Sequence, residues 1–212
     1  MHYPHQLESL VKPPLQIGLT GGIGSGKTTV CKIFEQIGIP IYYADDRAKQ
    51  LMVEDGRIIK QIIELFGQDA YLQAGGLNRA FIAGIVFNDP KKLQALNSIV
   101  HPAVGKDGTE WHHQQIGVPY TIREAALMIE SGNYKAMDKL IVVSAPKQLR
   151  IERVMKRDNV NEVAVLARMN QQLAEEEKMK FADFRIINDG RASLIKQVWK
   201  IHQQLVFEWT DN

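Results

Sequence analysis

The sequence is short of several things, and each shortage narrows what the protein can be. One cysteine, Cys31, stands among 212 residues, so no disulfide can form within the chain and a reducing, cytoplasmic setting is expected. No apolar run approaches the ~18 residues of a membrane-crossing helix. Lys and Arg outnumber Asp and Glu by only two, 26 against 24, and the excess forms no run. A nucleic-acid or membrane partner is therefore not expected, while an anionic small molecule suits the balance. His112-His113 and the other histidines lack metal-ligand spacing and read as structural or exposed. Asn-Lys-x-Asp and Asp-x-x-Gly, the guanine reader and switch of common GTPases, are both missing.

What is present is an ordinary apolar fraction, 45%, and a length suited to one domain with a subordinate insertion. MHYPHQLESLVKPP (1–14) lacks the basic-then-apolar plan of a signal peptide and reads as an appendage. LQIGLT (15–20), IPIYYA (39–44), PYTIREAALMI (119–129), KLIVVSA (139–145) and FRIIN (184–188) read as strands. TTVCKIFEQIG (28–38) carries Val30, Ile33, Phe34 and Ile37 at helical spacing and stops at Gly38. Residues 55–116 are helical almost throughout, punctuated by Gly67, Gly75-Gly76, Pro90 and Pro102. A polar helical stretch covers 146–181 and an amphipathic helix closes the chain over 191–209. Strands alternating with helices predict an α/β fold of three layers around a five-stranded parallel sheet.

LTGGIGSGKTTV (19–30) places Gly21, Gly26, Lys27 and Thr28 in the G-x-x-x-x-G-K-[ST] pattern, between a strand and a helix. Such glycines let backbone amides converge on phosphate oxygens at the positive end of a helix dipole. The pattern assigns the phosphates of a nucleotide, which the resemblance below makes ATP, to Gly22, Ile23, Gly24, Ser25, Gly26, Lys27, Thr28 and Thr29. Lys27 reaches the outer phosphates and Thr28 ligates Mg²⁺. A small-molecule kinase and a module that binds nucleotide without turnover both fit this loop. Cys31, four residues past Lys27, reads as a small buried hydrophobe.

Phosphoryl transfer to a hydroxyl needs a carboxylate for the proton, at the end of a strand beside the loop. YYADD (42–46) supplies Asp45 and Asp46 there, and the same two acids would serve as caps of the helix that follows. Arg150, Arg153 and Arg157 stand at i, i+3 and i+7 of one helix, either a solvated basic face or a lid over phosphates.

Laid in order, the motifs resemble the dephospho-coenzyme A kinase family. GLTGGIGSGKTTV is followed by YYADDRAKQL, FG at 66–67, GGLNR at 75–79, VFND at 86–89 and LNSIVHP at 96–102. ALMIESG at 126–132, RVMKRD at 153–158 and ADFRIINDG at 182–190 complete the set. The resemblance implies ATP as donor, the ribose 3′-hydroxyl of dephospho-CoA as acceptor, and a monomer or weak homo-oligomer. It implies a kinase domain over 15–212, with 55–116 as the acceptor-binding insertion and 146–181 as the lid. Asp45 becomes the base, Arg157 and then Arg153 serve the lid, and Arg79 and His101 position the acceptor. Arg150 has no counterpart and falls to the solvent. Three departures stand out: Tyr43 where an Asp is usual, Gly75-Gly76-Leu77-Asn78 before Arg79, and Ala126-Leu127-Met128 before Glu130.

Overall fold

Strand β1 (Leu15–Thr20) lies at the centre of a five-stranded parallel sheet in a computed structural model that describes residues 12–211. The other strands are β2 (Ile41–Tyr43), β3 (Tyr120–Glu124), β4 (Lys139–Ser144) and β5 (Phe184–Ile187), in the order β2-β3-β1-β4-β5. Ile17 registers with Ile122 on one side and Lys139 on the other. Every residue of β3 is buried, because helices cover both faces of such a sheet, and so its strands read as continuous apolar runs. From β1 the chain goes out to β2 at one edge, returns to β3 beside β1, and then crosses to β4 on the other side of β1. In sheets of this kind such a reversal places a ligand crevice at the carboxyl ends of the strands.

Helix α1 (Lys27–Gln36) packs Val30, Cys31 and Phe34 onto the sheet, with Phe34 edge-on to Tyr120 at 6.3 Å between ring centres. It ends with Gly38 at φ 85°, a left-handed stop that glycine adopts without strain. After α1 and β2 come α2 (Ala44–Glu54), α3 (Gly56–Phe66), α4 (Arg79–Asn88) and α5 (Pro90–His113). Residues 43–111 form one compact unit; those before and after it form the other.

Within residues 43–111, Asp55 caps α3 through Arg57 N at 2.8 Å, Asn78 caps α4 through Phe81 N at 3.3 Å, and Asp89 accepts from the amides of Lys91 and Lys92. Arg47 grips Asp107 with two bonds, 2.9 and 3.0 Å, tying α2 to α5. Pro102 was expected to punctuate this stretch, yet α5 runs through it. Proline inside a helix costs about 3 kcal/mol, and Val100 and Val104, both buried, hold the turns on either side. His101 accordingly sits in mid-helix.

In the other unit, β3 ends at Glu124, five residues short of the expected strand, because Ala125 to Ser131 turn back on themselves. Helices α6 (Lys147–Asp158), α7 (Glu162–Met169) and α8 (Glu175–Met179) form the polar arm, with Ile151, Val154 and Val165 as its small core. Helix α9 (Leu194–Asp211) closes the unit through Val198, Ile201 and Leu205. Of the expected appendage, residues 1–11 lie outside the described part. At its end, Lys12 donates to the Trp209 carbonyl and the Trp209 indole to Pro13 O. Among the described residues no helix is long and apolar enough to cross a membrane.

Candidate active site

The loop between β1 and α1 is shaped by what surrounds it. A β-carbon on Gly21 would stand 2.2 Å from the carbonyl oxygen of Val143, so β4 itself excludes any side chain there. Gly26 takes φ 94° as the N-cap of α1, a left-handed geometry that only glycine adopts freely. No side chain caps this helix and no acid lies in its first turn. Its leading amides have no intrahelical acceptor, which leaves the positive end of the dipole open to an anion.

The loop's carbonyls, by contrast, are held from outside. Lys27 Nζ donates to Gly21 O at 3.0 Å, and Asn188 Nδ2 to Ser25 O at 2.8 Å. Arg153 reaches Gly24 O at 3.4 Å and both oxygens of Asn188 at 3.2 Å. With the Gly21, Gly24 and Ser25 carbonyls engaged and Gly22 O accepting from Ser25 N, the leading amides of α1 are left for an anion. Thr28 and Thr29 are exposed at its mouth, and the buried Ser25 hydroxyl has no hydrogen-bond partner.

Glu124, at the end of β3, stands 3.9 Å from Lys27 Nζ, and both side chains are nearly buried. Cys31 lies beneath them. Burial first, and then the charge of Glu124, push its thiol far above the usual range, so it is an inert core residue as expected.

The three arginines of α6 divide between three tasks. Arg157 is exposed and paired with Asp158 at 2.7 and 3.1 Å, and Asp158 also accepts from Arg168. Arg153 braces the loop. Arg150, assigned to solvent by the sequence, is buried and stands 2.9 Å from Glu175. That assignment is corrected here: position 150 shares a face with 151 and 154, and this face turns inward. Burial outweighs the Arg150 charge and holds the Glu175 carboxyl above its usual range. Arg150→Ala is therefore expected to cost about 1–3 kcal/mol by stranding a buried carboxylate. Urea unfolding measures this, and an unchanged midpoint would return Arg150 to the solvent.

Asp45, Arg79 and His101 belong to the compact unit of residues 43–111, and all three are exposed. The expected cap at Asp45 or Asp46 is not found. Tyr43 occupies the N-cap of α2 without a side-chain bond, and both acids fall inside the first turn. The β-region backbone of Tyr43, at φ −85° and ψ 91°, places the helix start one residue earlier than the acids. Asp46 instead pairs with Lys49 at 2.6 Å. Arg79 opens α4, directly after its Asn78 cap.

Sequence reading had not singled out Glu124, Asn188, Glu175 or Gln172, whose Oε1 accepts from Ile23 N at 2.8 Å. For Glu124 and Asn188 a signal existed: Glu124 is a polar residue ending the buried strand β3 beside β1, and Asn188 directly follows β5 beside β4.

A family model described as dephospho-CoA kinase matches residues 15–193. A dephospho-CoA kinase of Bacteroides fragilis is 35% identical over 187 residues, 88% of this chain and 91% of that protein. One of Salinibacter ruber is 42% identical over 176 residues, 82% of this chain and 88% of that protein. A crystal structure of a Thermus thermophilus protein superposes with a TM-score of 0.81 at 32% identity, covering 91% of this chain and 98% of that one. These matches run along most of the length, and the chain belongs to the dephospho-CoA kinase family.

Proposed function

We propose that this protein transfers the γ-phosphoryl group of ATP to the ribose 3′-hydroxyl of dephospho-CoA, yielding coenzyme A and ADP, the last step of CoA synthesis. The observation that carries the reading is the uncapped N-terminus of α1 behind a loop whose Gly21, Gly24 and Ser25 carbonyls are held by side chains. Family membership then names the substrates.

In this reading the loop amides between Gly22 and Thr29, other than those of Ile23 and Ser25, which Gln172 and Gly22 O hold, cradle the β- and γ-phosphates, and Lys27 swings from Gly21 O toward the transferring group. The loop residues also suit Mg²⁺. Thr28 offers an exposed hydroxyl and Glu124 a buried carboxylate beside Lys27, and Mg²⁺ commonly takes one or two protein oxygens along with phosphates and waters. When bound, Mg²⁺ would neutralise charge between the phosphates. Asp45 accepts the proton of the 3′-hydroxyl as its oxygen bonds to phosphorus and the bond to ADP breaks. Arg157 leaves Asp158 to meet the growing phosphoryl charge, and Arg153 lies along the nucleotide. Arg79 and His101 orient the acceptor, with residues 55–116 as its platform and 146–181 as the lid. The protein works in the cytoplasm, as a monomer or weak homo-oligomer, without nucleic-acid or membrane partners.

The test is release of ADP from Mg–ATP with dephospho-CoA, against AMP, shikimate and gluconate. Turnover with dephospho-CoA alone is expected. Equal turnover with any rival acceptor would overturn the assignment in favour of another small-molecule kinase.

A further inference from the structure

Ile23 is the one large apolar residue of the phosphate loop, and both of its ends are tied to the arm. Its side chain packs against the core of Ile151, Val154 and Val165, between α6 and α7. Its backbone amide donates to Gln172 Oε1 at 2.8 Å, just beyond α7. No other loop amide is bound by a side chain among the bonds described.

Gln172 is itself held in place by its neighbours. The next residue, Leu173, donates its amide to Glu130 Oε1 at 3.0 Å. Lys178, fully buried, donates to the same oxygen at 2.6 Å. Burial alone would raise the Glu130 carboxyl, but the bonds from Lys178 and from Leu173 hold it below its usual range, so it stays ionised. Between them, Glu175 accepts from Ala145 N at 2.8 Å and faces Arg150. The Arg150 guanidinium in turn sits where a side chain at Gly22 would be, and its carbonyl oxygen lies 2.5 Å from where a Gly24 β-carbon would be.

Residues 172, 175 and 178 therefore fasten one strip of chain to the loop, to the end of β4 and to the turn after β3. The fastening is polar. Apolar packing would be lost in proportion to area as the arm moved, whereas a hydrogen bond is made or broken at a fixed distance. The strip also leaves Glu130 Oε2 and Arg150 Nε buried without hydrogen-bond partners, which lowers the cost of releasing it.

We infer that Gln172 is a positioning residue for the phosphate loop, its amide oxygen fixing the Ile23 end of the loop to the arm so that loop shape and arm position change together. The inference rests on the nucleotide-binding part of the proposed function and not on the identity of the acceptor. With the Ile23 amide held, the loop's remaining amides are preset for phosphate. Without it, part of the binding energy must go into ordering the loop.

The experiment uses the full chain with Gln172→Leu, which keeps the volume but removes the acceptor, and Gln172→Glu, which restores an acceptor oxygen. Amide exchange at Ile23 in the nucleotide-free protein, Kd for Mg–ATP and Kd for dephospho-CoA are the readouts. In Gln172→Leu, exchange at Ile23 should quicken and Kd for Mg–ATP should rise, each by roughly 5- to 10-fold, the size of one lost hydrogen bond. Kd for dephospho-CoA should stay within about twofold, and Gln172→Glu should recover the exchange protection. Unchanged Ile23 exchange in the Leu variant would overturn the inference. So would a joint weakening of both ligands with a fall in melting temperature, the mark of general support. Should Gln172→Leu not fold, Gln172→Ala, a simple truncation of a half-buried side chain, carries the same readouts. A wild-type chain that binds Mg–ATP but does not phosphorylate dephospho-CoA sinks the proposed acceptor and leaves this test intact.

Discussion

Lys27→Ala should fold and bind nucleotide, yet lose about 10²–10³ in kcat, the usual cost of removing one preorganised donor to transition-state charge. The Lys27 ammonium is already desolvated, its side chain 11% exposed, held by Gly21 O and facing Glu124. A cation parked on a carbonyl has little to lose by turning to a phosphoryl oxygen whose charge increases during transfer. Its effect therefore falls on kcat more than on KM. The substitution also leaves Glu124 with one cation fewer in a buried place, so melting should fall as well. Steady-state kinetics beside thermal melting separate the two effects. A variant with near-normal kcat would remove Lys27 from the chemistry, whatever its stability.

Much of this architecture was legible because the physics that sets it is local. Buried parallel strands must be apolar on both faces, so LQIGLT and KLIVVS announce themselves, and the phosphate loop needs its glycines at fixed intervals. The errors arose where a neighbour distant in sequence decides. Helical spacing puts Arg150, Arg153 and Arg157 along one side of α6, but it cannot say that the first meets Glu175 and the second Asn188. Gln172 lies 149 residues from the amide it holds, and Asn188 lies 163 from the carbonyl it braces. No periodicity links them. Pro102 shows the opposite failure, a strong local rule outweighed by buried valines on both sides. The acid pair at 45–46 was read one step out of frame, because the first residue of a helix follows from the backbone angles of Tyr43 and not from the polarity of what comes next.

That shift of frame sharpens the prediction for Asp45→Asn. As an N-cap, Asp45 could have been replaced by Asn with almost no change in stability, since Asn caps a helix about as well as Asp. Instead it is exposed in the first turn of α2 and caps nothing. Replacing it with Asn forfeits only a charge near the positive end of the helix, about 0.3–1 kcal/mol. For a chain of this size that amounts to roughly 2–4 °C in melting temperature at most. A residue with only this structural part would leave turnover alone. General-base assistance is worth ~10²–10⁴ in rate, and Asn cannot take the 3′-hydroxyl proton, so kcat should fall by at least ~100-fold. Kd for Mg–ATP should hold within about twofold, since the lost group acts on the acceptor hydroxyl and not on the phosphates. Asp46→Asn is the internal control. It breaks an exposed pair with Lys49, worth about 0–1 kcal/mol, and should leave kcat intact. If the two variants exchange these outcomes, Asp46 is the base. If both retain full turnover, the proton leaves by another route and neither carboxylate of the first turn of α2 has a part in the chemistry.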